Sequence, residues 1–338
     1  MSAAIPRRSA RAGAVAAALI GVTGAAYLVF HGGFRTIINT ALSVGWAGFA
    51  LLCLYGLANF TLLGLAWLVL VPPYSGARAA TFAWGRAVRD SAGEVLPFSQ
   101  FGGMVIGARA AMLRGISGST AFGSTIVDIT LEMIAQIVFI FGGLTILTLQ
   151  LPDAGQTPLV KVTAIGVGVA AILATFFVVV QRRGFALLQR VARRLLPVAE
   201  THAGDLDRVV NDIHMHPMRL GSGFTLHLLG WLSAGFGTWL ALVMIGHPLP
   251  FVSVIAIESL LCAARSAAIF IPAAIGVQEA GYAVMMPLFG LPAEIGIAVS
   301  LLKRAREVAL AIPVLMSWQI AEGRNALRTR ETNWEGSP

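Results

Sequence analysis

Two segments of this chain are apolar enough to enter a membrane, yet each is broken midway by proline, glycine and polar residues. They are residues 92–113, "AGEVLPFSQFGGMVIGARAAML", and 253–288, "SVIAIESLLCAARSAAIFIPAAIGVQEAGYAVMMPL". Backbone that leaves the helix at membrane depth must find its hydrogen bonds in protein or in a wet cavity. Such segments turn back as re-entrant pairs of short helices, or cross as broken helices. Six further segments, 12–30, 44–71, 120–149, 159–181, 221–246 and 295–318, are long and apolar enough to span. Hydrophobic residues make up 57% of the chain and charged residues 12%, with a mean hydropathy of +0.79. The expected fold class is therefore an all-α polytopic membrane protein with six spanning helices plus two re-entrant or broken-helix segments.

The net charge of +8 would suggest nucleic acid in a soluble protein. Here the arginines cluster beside hydrophobic spans and read as positive-inside signals, so no nucleic-acid partner is expected. Arg7, Arg8 and Arg11 precede the first span; Arg78, Arg86, Arg89 and Arg114 fall in a second expected cytoplasmic stretch. Residues 182–220 carry seven more arginines, and Arg324, Arg328 and Arg330 lie in the tail, against little beyond Arg35 and Lys161 on the other side. This predicts cytoplasmic termini (1–11 and 323–338) around one membrane domain (12–322). A cleaved signal peptide is the alternative for the N-terminus, although no clear A-x-A site follows. Within 182–220, "RRGFALLQRVARRLL" has one apolar face ringed by arginine and reads as an interfacial helix on anionic phospholipid. Cys53 and Cys262 both fall in apolar segments and read as buried small hydrophobes.

A shift of 175 residues lays Pro97 on Pro272, Gly115 on Gly290 and Glu132 on Glu307. It also lays span 44–71 on 221–246 and 120–149 on 295–318. The order span, interrupted segment, span occurs twice, as repeat one (about 44–150) and repeat two (about 221–322), with span 159–181 between them. The second unit then enters from the opposite side, which makes the repeats inverted. Inverted repeats with interrupted helices in matching places point to a transporter whose site lies where the interruptions meet. The expected helix-break positions are Pro97, Gly102 and Gly103 in one segment and Pro272 and Gly276 in the other.

Charge inside the spans is costly without a partner or a wet cavity. In "TIVDITLEMIAQ", Thr125, Asp128, Glu132 and Gln136 form one polar stripe; in "SLLKRAREVAL", Ser300, Lys303, Arg304 and Glu307 share a face. Because the repeat offset matches Asp128 with Lys303, the expectation is that Asp128 and Glu132 pair with Lys303, Arg304 or Arg306. Such a cluster either only holds the bundle together or lines a polar path. Gln278 and Glu279 follow the break at Gly276 and should fall in the first turn of a helix. Glu279 is either a helix-end charge favoured by the dipole or a protonatable cavity carboxylate paired with Arg304 or substrate. The first interruption presents Gln100 and Arg109; Arg109 suits a phosphate or hydroxyl-rich headgroup, or snorkels to the interface.

"IPAAIGVQEAGY", followed by "FGLPAEIGIAVSLLKRAREVALAIPVLMSWQIAEGR", resembles the C-terminal signature of the flippase-like family that includes the membrane part of lysylphosphatidylglycerol synthases. Residues 96–136 resemble the hopanoid-biosynthesis-associated branch of that family. The resemblance runs from about 44 to 324. It implies a protein of the bacterial inner membrane that moves lipids, hopanoids among them, across or out of it, near lipid-biosynthesis proteins. Ala273 and Ala274 depart from the family, where Gly is common before the Gln-Glu pair, leaving that backbone less permissive. The alternative is a membrane component of lipid modification or biosynthesis. Aminoacyl transfer in the synthase relatives belongs to a soluble domain, so the expectation for this chain is no enzyme activity and no cofactor. No P-loop, nucleophile elbow or H-E-x-x-H occurs, and "HMH" at 214–216 lacks the further ligands of a metal site.

Overall fold

A computed structural model describes residues 34–72, 78–95, 99–150, 203–268, 271 and 274–335. The expected spans 12–30 and 159–181, the basic segment 182–196, and Pro97 and Pro272 lie outside the described residues. Among the described residues the chain forms ten helices and no strand: α1 (Phe34–Leu42), α2 (Gly45–Leu68), α3 (Ala79–Val95), α4 (Ser99–Leu113), α5 (Gly118–Gln150), α6 (Ala203–His214), α7 (Pro217–Met244), α8 (Phe251–Ala267), α9 (Val277–Leu288) and α10 (Ala293–Glu335).

Three of the expected spans, α2, α5 and α7, are long and apolar enough to cross a membrane. The expected span 295–318 lies inside α10, a 43-residue helix that carries Lys303, Arg304, Arg306 and Glu307. Along α10, Val308, Ile312, Met316 and Ile320 are exposed at four-residue spacing, and α2 exposes Leu51, Leu54 and Leu57. Stripes of that kind would drive association in water, whereas lipid tails solvate them at no cost. The arrangement is that of a multi-pass membrane protein.

The two interrupted segments are helical hairpins. In the first, α3 and α4 lie against each other so closely that a Cβ on Gly103 would stand 2.6 Å from the Arg89 carbonyl oxygen. Small residues on α4, Ala108 and Ala111, let Phe82 and Trp67 pack in behind it; the two rings meet edge to face at 4.9 Å. This hairpin begins at Ala79, well before the segment that the sequence marks as interrupted. In the second hairpin, α8 and α9 enclose a core of Ile257, Leu260, Leu261, Tyr282, Met285 and Met286.

Each hairpin leads into its long helix through the same turn. Gly115 has φ +89° and Gly290 has φ +79°. The Ile116 N–H reaches back to the Ala111 carbonyl at 3.3 Å and the Leu291 N–H to the Met286 carbonyl at 3.1 Å. Both are Schellman closures, in which a residue without Cβ takes the left-handed position. The order long helix, hairpin, long helix thus runs through α2 to α5 and again through α7 to α10. The matching helices α2 and α7 lie antiparallel, with Gly48 against Met244 at one end, Gly230 against Leu63, and Gly223 against Leu70 at the other. Each unit's second long helix packs on the first arm of the other unit's hairpin: α5 on α8 and α10 on α3.

Candidate functional site

The depth at which the hairpins end defines the site. Along α5, Gln150 accepts a hydrogen bond from Ser253 at 3.0 Å, Gly143 lies against Ser259, and Gln136 donates to Ser266 at 2.6 Å. The arm α8 therefore runs antiparallel to α5 and stops opposite Gln136, near the middle of that 33-residue helix. The other arm, α3, starts beside the distal part of α10, where the Trp84 indole donates to Ser317 at 2.9 Å. It ends at Glu94, on which Glu307 and Arg304 of α10 act electrostatically. The two arms thus run inward from opposite ends of the bundle, and their ends meet. Their ends are joined by Arg265 Nη2 and Glu94 Oε1 at 3.0 Å.

Beside this junction the second hairpin turns. Gly276, at φ +83°, caps α9, and its N–H is accepted by Glu279 Oε2 at 2.8 Å. Glu279 also accepts from the Ser300 hydroxyl at 3.1 Å and from Arg304, through Nε to Oε1 and Nη2 to Oε2, the latter at 3.3 Å. Gln278 is fully buried and donates to Ser300 at 2.9 Å. Arg304 Nη2 further approaches the Ala274 carbonyl at 3.3 Å, and Ala274 itself has φ +46°. The contacts of Glu279 are those of a helix-end charge that also pairs with Arg304. Glu279, with its side chain 2% exposed, holds the turn and the guanidinium of Arg304, which is the more accessible member of the pair at 20%.

Asp128 and Glu132 do not meet Lys303, Arg304 or Arg306. Fully buried Asp128 pairs with Arg89 Nη1 at 2.6 Å and with His227 Nε2 at 2.8 Å. Glu132 accepts from Arg86 Nη2 at 2.6 Å and from Arg89 Nη2, and Arg86 Nε donates to Asp90 at 2.8 Å. Arg86 and Arg89, expected in a cytoplasmic stretch, are buried on α3. The hairpin starts early enough in the sequence to bring them level with the α5 carboxylates.

Lys303 likewise has its own partners. Its Nζ lies 3.0 Å from Glu258 Oε2, 3.0 Å from the Thr238 hydroxyl and 2.6 Å from the Tyr282 hydroxyl, and Tyr282 also donates to Glu258. Arg86 and Glu258 occupy the same place in arms of 17 residues each. Each binds the polar stripe of its own unit, with the charges reversed: arginine to Asp128 and Glu132 in one, glutamate to Lys303 in the other.

The remaining candidates are dispersed. Arg109 sits toward the far end of α4, where its Nη2 pairs with Glu322 at 2.8 Å. Glu307 pairs with Arg306 at 3.5 Å. Gln100 lies in the first turn of α4, and Gly102 and Gly103 lie inside that helix, so neither glycine is a break. Among the described residues no group of three His, Cys, Asp or Glu side chains could hold a metal ion.

Glu94, Arg265, Glu258, His227, Arg86 and Arg89 were not singled out from the sequence as site residues. Glu258 carried a usable signal, a lone carboxylate within "SVIAIESLLCAAR". Arg86, Asp90 and Glu94 recur every four residues, a helical spacing masked by the expectation that Arg86 and Arg89 lie in a cytoplasmic stretch.

The family described as the lysylphosphatidylglycerol synthase TM region matches residues 13–314 of the chain. No curated protein and no solved structure matches it.

Proposed function

We propose that this chain, which belongs to the lysylphosphatidylglycerol synthase TM region family, moves a membrane lipid between leaflets through the polar chamber at its centre. Family membership carries a membrane and lipid-related role; the passage is our reading of the geometry. The observation that supports it is the meeting of the two hairpin ends at Glu94 and Arg265, with side chains about one-third exposed, 31% and 32%. Charged groups inside a membrane need partners or a wet cavity, and this reading takes the accessible side of the pair to open onto such a cavity. The antiparallel α2 and α7, the repeated element order and the matched turns at Gly115 and Gly290 support two inverted repeats. That architecture lets one unit rock against the other around a fixed central site.

In this reading the hairpins are re-entrant, the termini are cytoplasmic and the membrane is the bacterial inner membrane. The polar groups bind and pass a headgroup without making or breaking bonds. The likeness of residues 96–136 to the hopanoid-associated branch would place the cargo among the lipids of hopanoid-making membranes, either a hopanoid or another lipid. The segment 182–196 would rest on anionic phospholipid.

The test is equilibrium exchange of acyl-labelled lipids across proteoliposomes, followed by quenching of the outer leaflet. Wild-type protein should exchange lipid faster than protein-free vesicles. The paired change Glu279→Gln with Arg304→Gln, which keeps a neutral contact, should insert normally and lose exchange. Wild-type exchange no faster than in empty vesicles, or an unimpaired double variant, overturns the reading.

A further inference from the structure

We propose that Glu94 and Arg265 select lipids whose headgroup carries both a phosphate and an ammonium, by giving up their own pairing to such a headgroup. This deepens the reading of the chamber as a lipid passage and rests on it. The pair joins the ends of α3 and α8 at 3.0 Å and stays partly exposed, whereas Asp128 and His227 on the same bundle are fully buried at 0%. Near it lie Glu279 with Arg304, and Glu307, which pairs with an Arg306 that reaches toward the Tyr55 ring of α2. Arg304 and Glu307 act on Glu94, and Glu307 acts on Arg265. Glu94 with Arg265, Glu279 with Arg304 and Glu307 with Arg306 are paired, so among the described residues each carboxylate of this group has its own cation.

Parting the hairpin ends breaks the bridge and leaves a carboxylate and a guanidinium unpaired at membrane depth, which is unfavourable for both. A zwitterionic headgroup restores both partners at once. Its phosphate accepts paired N–H donors from Arg265, with Arg304 close by. Its ammonium donates to Glu94, with Glu307 close by. One internal ion pair is exchanged for two with the headgroup, and no net charge enters the chamber. An anionic headgroup satisfies Arg265 and leaves Glu94 unpaired. An uncharged polyol supplies neither ion with a counter-charge.

Full-length protein in proteoliposomes decides the matter with acyl-labelled phosphatidylethanolamine, whose primary ammonium has N–H donors, and acyl-labelled phosphatidylglycerol, which differ in headgroup charge. Wild-type protein is expected to exchange the zwitterionic lipid at least tenfold faster. Glu94→Gln, which leaves Arg265 unopposed, should invert that preference. Glu94→Gln combined with Arg265→Gln should bring the two rates together. Equal rates in the wild type, faster exchange of phosphatidylglycerol, or an unchanged ratio in Glu94→Gln overturns the selectivity while leaving lipid movement intact. Exchange of neither lipid overturns the passage itself, and the selectivity with it.

Discussion

The Glu279 carboxylate accepts from Arg304 Nε at Oε1 and from the Gly276 N–H at Oε2. A single side chain therefore links the helix cap of α9 to Arg304 of α10. The buried carboxylate is satisfied on both oxygens, so removing its charge affects the fold as well as the site.

Glu279→Gln is expected to destabilise the protein, since leaving one member of a buried pair alone costs about 3 to 5 kcal/mol, with the lower end favoured by the partial exposure of Arg304. Arg304→Gln in the same protein should restore most of that loss. Thermal unfolding in detergent of the two single variants and the double variant measures the coupling. Equal losses that simply add would mean that the pair contributes nothing to the turn.

Asp128→Asn should couple to Arg89→Gln and not to Lys303→Gln. The first pair is in contact at 2.6 Å, and residues in contact show interaction energies of about 0.5 to 3 kcal/mol. Asp128 and Lys303 belong to separate networks, so their changes should add within about 0.5 kcal/mol. A double-mutant cycle on unfolding free energies distinguishes the two. Rescue of Asp128→Asn by Lys303→Gln would contradict the packing described.

Ala274→Gly should raise the melting temperature. An L-residue in the left-handed region costs about 1 to 2 kcal/mol, and Ala274 sits there at φ +46°. Glycine removes that strain, although its own entropy takes back part of the gain. Differential scanning measures the shift, and a lower melting point would show that the Ala274 methyl packs well enough to outweigh the strain.

Gly102→Ala and Gly103→Ala should differ in sign although they are neighbours. A Cβ on Gly102 meets nothing within 4 Å, whereas one on Gly103 would lie 2.6 Å from the Arg89 carbonyl oxygen. The first change gains about 0.5 to 1 kcal/mol of helix propensity. The second forces the hairpin arms apart and disturbs the residue that pairs with Asp128. Unfolding midpoints of the two variants make the comparison directly, and similar values would mean that the arms are not in backbone contact.

The sequence alone determined what depends on local physics. Apolar runs gave α2, α5 and α7, because burial in lipid depends on composition over about twenty residues. The ends of the hairpin arms flank the expected breaks at Pro97 and Pro272, and the repeat offset found Gly115 and Gly290, because turn geometry is written in the residues that form it. Glu279 and Arg304 were legible as partners for the same reason, since one break sets the turn that presents them. Only the tertiary structure decided the other charge partners. A polar stripe fixes the face of a helix but not which helix comes alongside, nor at what depth. The repeat offset matches Asp128 with Lys303, yet each has its own counter-charge, Arg89 for the one and Glu258 for the other. The start of α3 at Ala79 and the antiparallel run of α8 along α5 set those depths. The same two placements bring Glu94 to Arg265, residues 171 apart in the chain, a contact that no local pattern encodes.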